Sequence, residues 1–306
     1  MTPLIHIGYH KTGTSWLQKH LFANGGAGFA TPFDKSTELV DWIVIPNALD
    51  FDALPCRRQM APIMEAIVSQ NLVPVITSER FCGSPHAGGF DSKEIADRLH
   101  ALFPDGRVIV VLREQKSMIL STYKQYVKGG GSGTLKDYLL PPPPGKIPLF
   151  SFDHFKYHRL IGYYHSVFGK DRVLALPFEM FVRTPQEFID SITDFAGTRC
   201  VTDLPFGEGV NVGQSPYLAS ARARWNFIAA RGQLNPSVRV RSDTVRHTLD
   251  NLLQRTDKLL PAARQNKIDL AQKRTVAHIV GERFKESNRA ASKMIGRDLA
   301  FYGYDL

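Results

Sequence analysis

Three features that organise many proteins are scarce or missing in this sequence. The 306 residues include only three cysteines, Cys56, Cys82 and Cys200. Because their number is odd and they lie far apart, a disulfide framework is not expected and a reducing cytoplasm is favoured. No apolar run approaches the roughly 20 residues that cross a bilayer. The first predicted strand begins so close to Met1 that no signal peptide is expected.

Acidic residues are outnumbered by basic ones, which leaves a formal net charge of +9. This excess indicates an anionic partner without saying which one. Nucleic acid is one class, but the basic residues after Ser220 alternate with apolar helical positions and form no long tract, so no nucleic-acid binding is predicted. With 43% hydrophobic residues the chain can bury a substantial core. We predict a single domain over residues 1–306, with 216–275 as a helical insertion or subdomain.

The most informative stretch is 4–21, with the sequence LIHIGYHKTGTSWLQKHL. It combines an apolar strand, a turn that contains Gly8 and Gly13, and the start of a helix. This order brings backbone N–H groups and the positive end of a helix dipole to one point, which favours an anion. The glycine spacing fits a nucleotide-triphosphate P-loop, but Thr14 stands where that loop has its lysine. The lysine is Lys11, inside the loop, so we expect a terminal anionic group that is not a triphosphate.

Strands alternate with helices through residues 3–197. This pattern predicts a three-layer, P-loop-like α/β fold with a mainly parallel sheet, followed by added C-terminal helices. Lys11, Glu79 and Arg113 each follow a predicted strand. Because ligands bind outside the carboxyl ends of parallel strands, we expect these three side chains to converge on one site.

Three local signals refine this fold. Asp91 and Thr184 each precede a helical pattern with an acidic residue three positions on, which predicts that both side chains cap helices. Pro74 lies within the predicted strand 72–77. Because proline cannot donate to a ladder, this strand is expected at the sheet edge or at a bulge.

The segment HIGYHKTGTSWLQ resembles the 5′-phosphosulfate loop of sulfotransferases that use 3′-phosphoadenosine 5′-phosphosulfate (PAPS). The usual form of that loop is close to P-K-[ST]-G-T-[ST]-W. His10 occupies the place of the proline, and the next six residues match in order: Lys11, Thr12, Gly13, Thr14, Ser15 and Trp16. The resemblance implies that this loop holds the 5′-phosphosulfate and that Trp16 packs against the adenine ring.

A second stretch, VVLREQKSMILSTYKQY, is similar to the part of these sulfotransferases that holds the 3′-phosphate. The family places an arginine at a strand end and a serine eight residues later, as Arg113 and Ser121 are placed here. Gln115 replaces the usual proline. An arginine fork suits a phosphate because it can form two parallel hydrogen bonds. Pairing of Arg113 with a surface carboxylate is the alternative that the sequence leaves open.

Glu79 is the candidate base. A carboxylate at a strand end could take the proton of an attacking hydroxyl. The resemblance supports this weakly, since related enzymes place a histidine at the corresponding strand end and several carbohydrate-type relatives use glutamate. The alternative is that Glu79 orients Lys11 or Arg80 through an ion pair. His86 and Asp34 are reserve bases.

The resemblance implies an enzyme that moves a sulfuryl group from PAPS to a hydroxyl or amine of a glycan, lipid or small molecule. It implies no metal, and the C-terminal segment FKESNRAASKMIGRDLAFYGY is similar to the tails of bacterial sulfotransferases. One alternative is a P-loop nucleotide kinase or NTPase, although Arg113 has the wrong charge to hold Mg²⁺ at its strand end. The other is a non-catalytic basic module that binds polyanions in a salt-sensitive way. The acceptor and the oligomeric state are not predicted.

Overall fold

The structure is a computed structural model that describes residues 2–33, 36–140, 148–199, 201–207, 215–229 and 243–306. The chain divides into two compact units. The first unit comprises Met1–Glu114, Phe152–Asn211 and Phe284–Leu306, and the second comprises Gln115–Ser151 and Val212–Arg283. The single domain with an insertion at 216–275 remains a prediction. Within the described residues, no helix combines the length and apolarity needed to cross a membrane.

A five-stranded sheet forms the centre of the first unit, and every pair of neighbouring strands is parallel. The strands are β1 (Leu4–His6), β2 (Phe29–Ala30), β3 (Val73–Thr77), β4 (Arg107–Leu112) and β5 (Val173–Pro177). Their order in the sheet is β2-β3-β1-β4-β5. Residues 108–112 of β4 are fully buried, as expected for a parallel strand covered on both faces. The predicted α/β fold with a parallel sheet is confirmed.

Helices of the first unit connect these strands and cover the sheet. They are α1 (Thr14–Trp16, continued by a π-helix over Leu17–Phe22), α2 (Ser36–Ile43), α3 (Ala53–Ser69), α4 (Ser92–Leu102), α7 (Tyr157–Phe168), α8 (Phe178–Arg183), α9 (Pro185–Ala196) and α13 (Lys285–Ile295). Short 3-10 turns include Glu79–Cys82, directly after β3, and Phe152–Phe155, directly before α7. One apolar cluster joins Leu17 and Phe22 to Val111 of β4 and to Phe188 of α9. Burying such side chains contributes about 1.5–3 kcal/mol each.

The second unit is helical throughout its described residues. Its helices are α5 (Gln115–Lys128), α6 (Leu135–Leu139), α10 (Pro216–Ala229), α11 (Asp243–Leu259) and α12 (Ala262–Val280). The buried Asn226 amide donates hydrogen bonds of 2.7 Å and 2.8 Å to the carbonyls of Val127 and Gly131, which fixes α10 to the end of α5. The helices predicted in residues 216–275 are therefore present where the structure describes this range.

The edge position predicted from Pro74 was wrong, because β3 lies between β2 and β1. Pro74 pairs with Ala30 of β2, whereas the ladder with β1 begins one residue later, where Val75 lies opposite Leu4. The N–H group that proline lacks thus falls outside that ladder. An interior strand tolerates proline where a neighbouring strand has not yet begun.

Both predicted side-chain caps were also wrong. Asp91 and Thr184 occupy the N-cap positions of α4 and α9, but neither side chain caps its helix. The Asp91 carboxylate instead binds the Arg80 guanidinium and accepts a 3.0 Å hydrogen bond from the N–H of Ser84. The Thr184 hydroxyl donates to the carbonyl of Met180 at 3.4 Å. At both positions the side chain therefore bonds to residues that precede the helix, and not to the N–H groups of its first turn.

Candidate active site at the carboxyl edge of the sheet

Lys11, Glu79 and Arg113 lie at the same edge of the sheet. They follow β1, β3 and β4, which are parallel neighbours, so the three strand ends meet. The Arg113 guanidinium reaches back to the loop after β1, where its Nη1 donates a 2.8 Å hydrogen bond to the carbonyl of Lys11. A positive side chain and the loop that resembles a phosphosulfate site are thus held together.

The backbone of this loop is shaped to offer donors. Lys11 has a φ of 66° and Gly13 a φ of 81°, both in the left-handed region. For a residue with a side chain, such a conformation costs about 1–3 kcal/mol, and such residues cluster at ligand sites. Within the described part of the chain, the N–H groups of Lys11, Thr12 and Gly13 donate to no acceptor. They remain available, beside the start of α1, for an anion.

Close packing under the loop explains Gly8. A Cβ atom there would lie 2.6 Å from Nε2 of the buried His6 and 3.1 Å from Oγ1 of Thr12. The first distance is shorter than real Cβ contacts and the second is tighter than most of them, so this position favours glycine whatever its φ. The glycine pair of the motif therefore has two separate causes, since Gly8 allows a close approach and Gly13 allows a left-handed turn.

The hydroxyl groups of the loop have different environments. Thr12 is buried, and its Oγ1 donates a 2.5 Å hydrogen bond to the carbonyl of Tyr9, which braces the turn. Thr14 is also buried, but its Oγ1 has no hydrogen-bond partner within the described structure. A buried hydroxyl without a partner costs about 1–3 kcal/mol, so Thr14 fits a site that a ligand oxygen completes. Ser15 follows as the second residue of α1 and is half-buried.

Arg113 is held from several directions besides its bond to the loop. Its guanidinium lies over the Phe178 ring, 5.3 Å from the ring centroid, and its carbonyl accepts a 2.5 Å hydrogen bond from the hydroxyl of Tyr157. Phe178 also lies against the loop, because a Cβ atom on Gly13 would be 3.3 Å from its ring. The aromatic ring thus orders both anion-binding elements.

Glu179 and Tyr304 stabilise the backbone at Glu114, the residue that follows Arg113. The half-buried Glu179 carboxylate accepts 3.0 Å hydrogen bonds from the N–H of Glu114 and from the hydroxyl of Tyr304. Burial raises the pKa of Glu179 above its ordinary value, whereas these hydrogen bonds oppose the rise. Sequence reasoning missed Tyr157, Glu179 and Tyr304, because their partners are distant along the chain and no short motif links them.

Ser121, the second residue predicted to hold the 3′-phosphate, lies in α5 and is half-buried. It belongs to the second unit, whereas Arg113 belongs to the first. Its role remains a prediction that rests on its position in the motif.

Glu79 begins the 3-10 turn after β3, and 41% of its side chain is exposed. Its Oε1 lies 3.9 Å from Nε2 of His10. The Arg80 guanidinium pairs with the carboxylate of Asp91. Both interpretations of Glu79, as the base or as an ion-pair partner that orients Lys11 or Arg80, stay predictions.

Two histidines near Glu79 are held neutral. Burial, together with the positive charges of Arg80 and Lys11, lowers the pKa of His10 to about 3. Burial and the nearby His10 lower the pKa of the reserve base His86 to about 4. His10 also lies 3.9 Å, through Nδ1, from the Sγ atom of the buried Cys82. Asp34, the other reserve base, lies outside the described residues.

Trp16 lies mainly in the protein interior. Only 5% of its surface is exposed, and its Nε1 donates a 3.4 Å hydrogen bond to the carbonyl of Pro205. Its ring stacks on Phe206, with centroids 5.5 Å apart and planes at 14°, and packs against Phe181 at 4.8 Å. This aromatic cluster gives Trp16 a core-packing role, and its contact with adenine remains a prediction.

Part of the chain matches a known protein family. Residues 92–203 match the model of a family described as the sulfotransferase family. The matched segment includes β4, Arg113, Ser121 and β5, but neither the Lys11 loop nor Glu79. No curated protein sequence matches the chain.

Several solved structures are similar to this chain. A crystal structure of a sulfotransferase from Alicyclobacillus acidocaldarius is similar to this chain with a TM-score of 0.57 and 13% identity, covering 99% of this chain and 98% of that one. The sulfotransferase domain of the Synechococcus PCC 7002 olefin synthase matches with a TM-score of 0.44 and 15% identity over 77% of this chain and 90% of that one. A mouse sulfotransferase complexed with PAP matches with a TM-score of 0.38 and 13% identity over 87% and 88% of the two chains. The first of these shows a shared fold, and residues 92–203 of the chain are similar to the sulfotransferase family.

Proposed function

We propose that this protein is a sulfotransferase that uses PAPS as its donor and transfers the sulfuryl group to a hydroxyl or amine of a glycan, lipid or small-molecule acceptor. The observation that carries the proposal is the hydrogen bond of 2.8 Å from Arg113 to the carbonyl of Lys11. It ties a phosphate-binding side chain to a loop that offers free N–H donors. A donor with a phosphate at the 3′ position and a phosphosulfate at the 5′ position needs two such elements side by side.

The residues of the loop fit the 5′-phosphosulfate. The N–H groups of Lys11, Thr12 and Gly13 are free to donate, and the buried Thr14 hydroxyl has no other partner in the described structure. In the proposal, Lys11 and Ser15 add an ammonium and a second hydroxyl. His10 is neutral at physiological pH, because its pKa is about 3, and therefore shapes the loop without adding charge.

Arg113 and Ser121 hold the 3′-phosphate in this proposal, and Trp16 lies near the adenine. The Glu179 and Tyr304 pair acts indirectly, since it fixes the backbone at Glu114 and thereby the direction of the Arg113 side chain. A guanidinium that is held in place loses less conformational entropy when it binds a phosphate.

The transfer step is an in-line displacement at sulfur. The acceptor oxygen forms a bond to sulfur while the bond between sulfur and the bridging oxygen of the donor breaks. The electron pair of the broken bond stays on that oxygen, which becomes part of the 5′-phosphate of the product 3′-phosphoadenosine 5′-phosphate (PAP). Glu79 takes the acceptor proton, and Lys11 and the loop N–H groups stabilise the charge that develops on the bridging oxygen. Charge neutralisation by these groups is the basis for predicting that no metal is required.

Titration calorimetry with PAP and with ATP plus Mg²⁺ tests the donor class. We expect PAP to bind more tightly, because the second anion site is placed for a 3′-phosphate and Arg113 replaces an Mg²⁺-holding carboxylate. Tighter binding of ATP with Mg²⁺ would favour a kinase or NTPase instead. Product formation that depends on PAPS would exclude a module that only binds polyanions.

Lys11→Ala tests the site itself. The variant should lose turnover with PAPS while Lys170→Ala, which removes an exposed lysine on a separate turn, keeps it. Wild-type turnover in Lys11→Ala would overturn the assignment of the loop.

We also propose a cytoplasmic, bacterial enzyme that binds no nucleic acid. Cys56 and Cys82 are both free thiols, which supports a reducing compartment. The basic surface charge is assigned to solvated helix faces. A gel-shift experiment with duplex DNA at physiological salt should show no specific complex.

A further inference from the structure

A cavity of about 330 Å³ lies beside the candidate active site, within the first unit. The first turns of α4 and α7 form its walls, and Tyr9 of the loop after β1 lines it as well. This volume is at the lower end of the range for small-molecule sites, so it has room for a small ring system but not for a long chain. Tyr9 directly precedes His10, whose Nε2 lies 3.9 Å from the Glu79 carboxylate. The cavity is therefore a neighbour of the proposed base.

Charge in the cavity favours an anion. Asp153 is shared by two cations, with its Oδ1 2.6 Å from Lys156 Nζ and its Oδ2 3.4 Å from Arg159 Nη1. One carboxylate between two cations leaves an excess of one positive charge, because the third cation, Lys93, is paired with Asp97 at 2.7 Å. An excess of one charge matches a monoanion such as a carboxylate.

The two helices strengthen this preference. α4 and α7 begin at the cavity, and neither carries a side-chain capping bond at its N-terminus. The positive ends of their dipoles therefore act on the same volume. Helix ends alone do not define a site, but here they coincide with the excess cation.

A buried histidine gives an independent indication of a ligand. His154 lines the cavity, is only 8% exposed, and its Nε2 has no hydrogen-bond partner within the described structure. The carbonyl of His154 accepts a 3.0 Å hydrogen bond from Tyr9, and Gly89 leaves room for the ring, since a Cβ atom there would be 2.2 Å from Nδ1. A buried polar atom without a partner is costly, so a polar group in the cavity would stabilise it. Burial lowers the pKa of His154 to about 3, so the ring is neutral and can offer Nε2 as a donor.

Apolar groups complete the lining. Phe90 stands at the cavity with 65% of its surface exposed, which is unusual for a phenylalanine. Leu160 and the ring of Tyr163 add further apolar surface from α7. An exposed aromatic ring beside a cationic rim suits a ligand that is itself a flat apolar ring with one negative group.

We propose that this cavity is the acceptor subsite, and that it selects acceptors in which an apolar ring carries a carboxylate in addition to the hydroxyl that is sulfated. The proposal rests on the proposed function for the identity of the reaction. It names the substrate class that the sequence left open. Lys156 and Arg159 contact the carboxylate, His154 contacts a polar substituent, and Phe90 and Leu160 contact the ring.

Binding of 6-hydroxy-2-naphthoate and 2-naphthol, measured by their fluorescence with and without saturating PAP, tests this subsite. The two probes share a ring and a hydroxyl, and they differ only in the carboxylate. We expect the naphthoate to bind at least about tenfold more tightly at low ionic strength, and the difference to shrink as salt rises. Lys156→Gln and Arg159→Gln should each weaken naphthoate binding by about 2- to 10-fold and leave naphthol binding unchanged. The matched control is Lys170→Gln, an exposed lysine that does not line the cavity, and it should change neither affinity.

Leu160→Trp fills the cavity without changing its charge, and it should weaken binding of both probes. The inference is overturned if the two probes bind equally well, or if Leu160→Trp leaves naphthoate affinity unchanged. In the latter case a second cavity of about 610 Å³, lined by residues such as Ser15, Phe33 and Thr77, would become the acceptor site. If PAP binds and PAPS-dependent turnover occurs with neutral acceptors alone, this inference fails and the proposed function stands. If PAP does not bind, the proposed function fails, and naphthoate binding still reports on the cavity.

Discussion

Removal of the Arg113 guanidinium should weaken nucleotide binding in two separable ways. Its Nη1 donates a 2.8 Å hydrogen bond to the carbonyl of Lys11, which orders the donor loop. In the proposed function the same group also binds the 3′-phosphate. Arg113→Ala removes both interactions, so two nucleotides are needed to tell them apart. AMP has the 5′-phosphate without the 3′-phosphate, and PAP has both.

The expected magnitudes follow from the hydrogen bonds. A bond from a charged donor contributes about 1.5–3 kcal/mol. Loss of the bond to the half-buried Lys11 should therefore weaken AMP binding by at most about 1.5 kcal/mol, since water can replace part of it. PAP should lose the same amount and in addition about 1.5–3 kcal/mol for its 3′-phosphate. The affinity for PAP should thus fall about 10- to 150-fold further than the affinity for AMP.

Calorimetric titration of both nucleotides at one fixed ionic strength measures this difference. Arg107→Ala is the matched control, because Arg107 lies at the other end of β4 and its Nη1 also donates a 2.8 Å hydrogen bond to a carbonyl, that of Phe195. This variant should bind both nucleotides as the wild type does. An equal loss for AMP and PAP in Arg113→Ala would refute the 3′-phosphate role. No loss for either would refute the loop-ordering role as well.

Four further predictions concern the same edge of the sheet. Lys11→Gly should abolish turnover, because it removes the ammonium group. It should also raise the free energy of unfolding by about 1 kcal/mol, because glycine accepts the left-handed φ at this position. PAPS turnover and thermal unfolding of this variant check the two effects. Glu79→Gln should lower kcat about 10²- to 10⁴-fold and leave PAP affinity unchanged, as measured by steady-state kinetics beside calorimetry, and an unchanged kcat would remove Glu79 as the base. Gly8→Ala should lower the free energy of unfolding by about 1–3 kcal/mol in urea, because the new Cβ meets the His6 ring, and a neutral effect would contradict the packing. Burial lowers the pKa of His6 to about 3, below its unfolded value, so the unfolded chain binds the extra proton as pH falls below about 6.5, and at pH 5 this removes about 2 kcal/mol of stability. Between pH 7.5 and 5, His6→Asn should therefore lose about 2 kcal/mol less stability than the wild type, and the dependence that arises from His10 and His154 should remain.

The sequence predicted the sheet and the meeting of its strand ends well, for a physical reason. A buried parallel strand such as β4 shows itself as an apolar run, and the residue after it must lie at the carboxyl edge. Lys11, Glu79 and Arg113 could therefore be placed on one edge without knowledge of any contact. Residues 92–203 are similar to the sulfotransferase family, while the roles of these three residues stay predictions.

Interactions between distant segments could not be predicted. Asp91 has the local pattern of a helix cap, yet its carboxylate binds Arg80, because an ion pair buried between two segments is stronger than an exposed capping bond. Trp16 lies against Phe206, which is far along the chain and carries no motif. Glu179 likewise looks like an ordinary helical residue until Tyr304 is placed beside it. Such pairings depend on the path of the whole chain rather than on local propensity.

The residues that form hydrogen bonds at the end of β4 are synthesised at different times, so the site becomes complete in steps. The first unit is built from three separate stretches, and Arg113 lies in the first, Tyr157 and Glu179 in the second, and Tyr304 in the third. A ribosome that adds about 5–20 residues per second needs about 10–40 s to pass from residue 113 to residue 304. During that time the Glu179 carboxylate lacks the hydrogen bond from the Tyr304 hydroxyl. Nascent chains stalled at successive lengths should therefore acquire full nucleotide affinity only after Tyr304 has left the exit tunnel, which makes nucleotide binding a reporter of the release of this residue.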